Sequence, residues 1–138
     1  MSWYKIAQIK TIEQIAINTR KKTLKYYGDL RAVCLDVSRD LKNELIKNGY
    51  KAIVVQGTFS IDNPNMEYCE DLDLDDEKDA EAIYNPLHYW VEVEGKILDI
   101  TSNQFNDEIE NELDKMPNIV FGTYAENERY TPLRKGWK

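Results

Sequence analysis

At 138 residues, 42% hydrophobic and 31% charged, the chain has the length and balance of one folded domain with one core. Its net charge of -7 argues against nucleic acid as the main partner, and its two cysteines are too few for a disulfide scaffold. No apolar run approaches the ~18 residues of a membrane span, and the opening MSWYKIAQIK lacks a secretory apolar region. The expectation is a cytoplasmic protein with no membrane partner.

The charge is unevenly placed. Residues 1–51 carry eleven Lys/Arg against five Asp/Glu, and the remainder carries seven against twenty. The basic cluster Arg20, Lys21, Lys22 and Lys25 falls on a helical pattern and reads as a solvated face. That helix is expected from Lys5 to Tyr27, with Ile6, Ile9, Ile12, Ala16 and Leu24 at helical spacing. Thr11 and Gln14 form a capping-box pattern at which the helix starts or restarts, and Gly28 ends it. Asp29 reads as the N-cap of a second helix, Leu30–Asn48, closed by Gly49. Cys34, Val37, Leu41 and Leu45 make its buried stripe.

Lys51–Phe59 is rich in β-branched residues and reads as a strand. Residues 60–86 read as an acidic loop insertion. Within it, EDLDLDDEKDAE places carboxylates at positions 1, 3 and 5 of an EF-hand loop counted from Asp71. The turn glycine is replaced by Asp76 and the bidentate glutamate by Ala82, so no metal is expected. His88–Val93 and Lys96–Thr101 read as a hairpin around Glu94-Gly95. A short helix is expected within Gln104–Lys115, and a last strand at Ile119–Tyr124. Helices followed by strands indicate an α+β fold with N-terminal helices packed on an antiparallel sheet.

The chemistry concentrates on the single histidine, His88. A two-residue turn at Glu94-Gly95 pairs Val93 with Lys96, Trp90 with Asp99 and His88 with Thr101. His88, Trp90, Asp99 and Thr101 then share one face, with His88 and Asp99 diagonal neighbours. Tyr89, Val91, Val93, Leu98 and Ile100 take the other, which makes a good core face. Cys34 sits near a helix N-terminus, where the helix dipole and an imidazolium both favour a thiolate. The aspartate fixes the imidazole tautomer, and N–H groups of the first helical turn can hold an oxyanion. Cys34 is then the nucleophile, His88 the base and then the acid, and Asp99 the orienting group of an acyl-transfer site. Trp90 lies beside the histidine as a candidate wall of the substrate cleft. On spacing alone each residue also has an ordinary structural role: Cys34 as a small buried hydrophobe, His88 at a strand end, Asp99 as a turn acceptor. Cys69 is disfavoured as a nucleophile by the acidic run around it.

The cysteine helix with its following glycine and strand (CLDVSRDLKNELIKNGYKAIVVQG), the histidine strand (HYWVEVEGKILDIT) and the trailing NQF resemble bacterial and phage transglutaminase-like proteins, of the papain-like cysteine-hydrolase superfamily. The resemblance runs from Gly28 through Phe105. It implies a papain-like fold and a thiol-dependent hydrolase or acyl-transfer enzyme, with Cys34, His88 and Asp99 as catalytic residues. It also implies a peptide or protein amide as substrate and no cofactor. The cysteine is flanked here by Ala32, Val33 and Leu35, where a Gly or Trp is common, and Gly28 stands where a papain-type oxyanion glutamine would sit. Gln56 and Gln104 are the candidates for that role, with Gln104 placed among the substrate-binding residues. Protease, deamidase, transglutaminase and acyltransferase chemistries all remain open, as does the oligomeric state. The family also contains inactive members, so the alternative is a non-catalytic binding protein that engages a basic protein partner through the acidic loop.

Overall fold

The computed structural model describes residues 10–28, 33–61 and 85–137. Most of the acidic segment, residues 62–84 with Cys69, lies outside the described residues, as do Ile6, Ile9 and Asp29.

Helix α1 runs Ile12–Tyr27. Its start follows from local chemistry. The Thr11 hydroxyl accepts from the Gln14 N–H at 3.1 Å, and the Gln14 side chain accepts from the Thr11 N–H at 3.1 Å. This reciprocal box satisfies two donors that a helix end would otherwise leave open. Its buried stripe is Ile12, Ile15, Ala16, Thr19 and Thr23. The two threonines replace the expected Leu24, which is only partly buried. Thr23 enters the core because its hydroxyl donates to the Thr19 carbonyl at 2.7 Å, so no polar group is left open by its burial.

Helix α2 runs Cys34–Lys47 and buries Val37, Ser38, Leu41 and Leu45. The described helix thus opens at Cys34. Val33 is its N-cap and has no side-chain cap hydrogen bond. Cys34 is half-buried in the first turn, and the buried stripe begins at Val37.

Five antiparallel strands follow: β1 (Ala52–Phe59), β2 (Leu87–Val93), β3 (Lys96–Asp99), β4 (Val120–Gly122) and β5 (Tyr130–Trp137). Their order is β4-β3-β2-β1-β5. The architecture is α+β, as expected. The hairpin has the two-residue turn read from the sequence. Glu94 and Gly95 carry φ of 56° and 72°, the paired left-handed conformations that match strand twist. Val93 pairs with Lys96, Glu92 with Ile97 and Val91 with Leu98.

Two further expectations are corrected. Residues 104–115 hold no α-helix; 3-10 turns at Ser102–Glu108 and Glu112–Asp114 take its place. The strand at 119–124 shrinks to Val120–Gly122, and the last strand is β5. The sheet buries both faces. Val91, Val93, Leu98 and Ile100 meet the helices through Ile12, Ile15, Val37, Leu41 and Leu45. On the other side, Val55, Phe59, Trp90, Ile97, Phe105, Ile109, Val120 and Tyr130 form a second, aromatic cluster. The chain after β3 covers this face, through Phe105 and Ile109 beyond the hairpin and Tyr130 at the start of β5. His88 is therefore a core residue of the second layer.

Candidate active site

β2 and β3 position the first two groups. The short turn fixes the register, and alternation then brings His88 and Asp99 to the same side of the sheet. His88 Nε2 lies 2.6 Å from Asp99 Oδ2. His88 is 0% exposed and Asp99 2%. Removal from water on this scale is costly for an ion, so the pair persists only if each group neutralises the other and the remaining lone pairs are filled.

The carboxylate is well supplied. Oδ1 accepts from the Thr101 N–H at 2.9 Å and from the Thr101 hydroxyl at 3.1 Å. Oδ2 accepts from the Tyr130 hydroxyl at 2.7 Å in addition to His88. Burial pushes the Asp99 pKa up, but the His88 charge and hydrogen bond, with those from Thr101 and Tyr130, bring it below the usual value. Asp99 is thus held ionised. Burial alone would likewise lower the imidazole pKa. The Asp99 charge and hydrogen bond, assisted by Cys34, outweigh it and raise His88 from 6.5 to about 10. The folded chain therefore favours an imidazolium at neutral pH.

Nε2 is committed to Asp99, which leaves Nδ1 for the thiol. Nδ1 is buried without a well-aligned hydrogen-bond partner. Cys34 is nevertheless close enough to raise the imidazole pKa through hydrogen bonding and charge. Cys34 enters this layer as the first residue of α2, which packs against β1 and β2. Its position at the positive end of the helix adds to the field around the sulfur.

The other candidates fall elsewhere. Trp90 is 0% exposed and packs within the aromatic layer. Its ring centroid is 5.9 Å from that of His88 and its indole N–H donates to the Tyr124 hydroxyl at 3.1 Å. It forms the floor under the imidazole in place of the expected cleft wall. Gln104 is partly buried in the 3-10 turn after β3, with its N–H donating to the Thr101 carbonyl at 3.1 Å. Gln56 is tied into β1: its amide donates to the Tyr89 hydroxyl at 3.0 Å and accepts from Arg134 at 2.7 Å.

Sequence reasoning missed Tyr130 and the double contact from Thr101. Thr101 stood on the right face of the hairpin and two residues past the aspartate, a spacing that favours such local bonds. Nothing near Tyr130 in the sequence connects it to Asp99. Among the described residues no group of three or more His, Cys, Asp or Glu side chains is arranged to hold a metal ion, and no helix is long and apolar enough to cross a membrane. A groove of about 750 Å³ between α1 and α2, with Thr23, Tyr26, Asp40 and Lys47 in its wall, includes none of the three candidate catalytic residues.

No protein-family model matches the chain, and neither a curated protein nor a solved structure matches it.

Proposed function

We propose that the protein is a thiol-dependent acyl-transfer enzyme of papain-like, transglutaminase-like type, acting on a peptide or protein amide through Cys34, His88 and Asp99. The observation that carries this reading is a buried imidazolium held by a carboxylate on one nitrogen, with a thiol beside it at a helix N-terminus. That arrangement supplies what thiol-based acyl transfer needs, a sulfur nucleophile with a charged imidazole beside it.

The raised His88 pKa sets the order of its roles. It begins protonated, so it acts first as acid, the reverse of the order expected from sequence. The Cys34 thiolate attacks the amide carbonyl carbon, forming the C–S bond and an oxyanion. Backbone N–H groups of the first α2 turn are the donors available for that oxyanion. As the C–N bond breaks, His88 gives its proton to the leaving amine. The neutral imidazole then takes a proton from water, which attacks the thioester and breaks the C–S bond. Thiolate and imidazolium are restored and the acid is released.

The test uses p-nitrophenyl acetate, an activated ester whose leaving group needs no protonation. We expect the intact protein to gain one acetyl group, mapped to Cys34, and Cys34→Ser to abolish it. Acetyl groups spread over lysines with none on Cys34, together with p-nitrophenol released no faster than by Cys34→Ser, would exclude the enzyme reading and favour a non-catalytic binding protein.

A further inference from the structure

We infer that Tyr130 is a positioning residue of the same site, a fixed post that orients Asp99 towards His88; this rests on the enzyme reading above. The tyrosine stands at the start of β5, paired with Phe59 of β1. Its ring is buried edge-on against Phe59 and Trp90, with centroids 5.2 and 5.1 Å apart. Packing, not the hydrogen bond, therefore sets where the hydroxyl sits. From there it reaches Oδ2 at 2.7 Å, the same oxygen that receives His88 Nε2 at 2.6 Å. Thr101 holds Oδ1 from its N–H and its hydroxyl. Donors on both oxygens fix the plane of the carboxylate and direct its remaining lone pair at the imidazole.

Sharing Oδ2 also divides its charge. A donor on a carboxylate oxygen weakens that oxygen's pull on a neighbouring proton. Tyr130 thereby moderates how strongly Asp99, through Nε2, stabilises the imidazolium, and so how readily Nδ1 gives its proton to a leaving amine. A tyrosine with only a packing role would not affect that proton.

Tyr130→Phe keeps the ring and removes the hydroxyl. The chain has one histidine, so its imidazole C–H resonances report His88 alone. We expect the His88 titration midpoint to rise by roughly one to two pH units in Tyr130→Phe, the scale of one hydrogen bond to a charged group. Thr101→Val removes a hydroxyl from the other oxygen and should move the midpoint less. An unchanged midpoint in a folded Tyr130→Phe, or an equal change in Thr101→Val, overturns the inference. Should Tyr130→Phe not fold, the wild-type chain supplies the reading. A Tyr130 hydroxyl proton protected from exchange, with a through-space contact to the His88 Nε2 proton, is expected, and its absence overturns the inference. These resonances read Tyr130 whether or not Cys34 acetylates, so the two proposals fail separately.

Discussion

At the scale of single residues, the decisive contest is between desolvation and pairing at His88. Burial of an imidazole ordinarily favours its neutral form. Here a carboxylate at 2.6 Å wins, and the His88 pKa is raised from 6.5 to about 10. The sign of the stability effect follows. His88 has a folded pKa raised above 6.5, so its contribution is complete below about pH 6.5 and is lost as pH rises through about 10. Asp99 has a folded pKa below 3.8. Its contribution is complete above its unfolded value and is lost as pH falls through the lower folded one. The comparison that isolates the pair is wild type against a His88→Gln, Asp99→Asn double variant. We expect the difference in melting temperature to be level between about pH 4 and 6.5 and to move against the wild type on either side. A difference that does not vary with pH means that neither group is perturbed by folding.

At the scale of elements, the hairpin was the most legible part of the chain. Glu94-Gly95 between two strands of alternating pattern specifies a two-residue turn, and the turn alone decides that His88 and Asp99 share a face. Other features were illegible for physical reasons. β5 contains Pro132, Arg134, Lys135 and Gly136, residues that protect an edge from further pairing and so disguise a strand in sequence. Its pairing with β1 is also irregular, with register shifts between Val54 and Val55 and between Gln56 and Gly57. The second core layer was missed with it, because Phe105, Ile109 and Tyr130 reach that face from irregular chain and an edge strand. Gly57 shows what this layer demands. A Cβ there would collide with the Trp90 ring and the Thr131 carbonyl. The carbonyl is backbone and cannot swing aside, so β1 or β5 must shift. We expect Gly57→Ala to destabilise the fold by about 1–3 kcal/mol in urea titration, as overpacking of a dense core does. It should also perturb the His88 resonances, since Trp90 underlies that ring. A Gly57→Ala chain as stable as wild type would mean that β1 and β5 pack less closely than described.

At the scale of the whole molecule, the two layers have different tasks. The helical layer is aliphatic and anchors α2 to the sheet through Val37, Leu41 and Leu45. The aromatic layer surrounds the imidazole and excludes water from it, with Phe105 at 5.0 Å and Phe59 at 6.0 Å from its centroid. Cys34 belongs to the first layer by its helix and to the second by its contact with His88. Sequence spacing could name these three residues but not show that two layers converge on them, because that convergence depends on which face the C-terminal third covers. The central claim is that His88 activates the Cys34 thiol. Its most direct test is iodoacetamide alkylation at about pH 6, where an ordinary thiol of pKa ~8.5 is almost wholly protonated. Peptide mapping compares Cys34 in the folded chain with the same cysteine in urea, in wild type and in His88→Ala. The account predicts that folded wild-type Cys34 reacts at least about tenfold faster than the unfolded thiol, and that His88→Ala removes the advantage. A folded Cys34 that reacts no faster than the unfolded one, or a rate indifferent to His88→Ala, contradicts it.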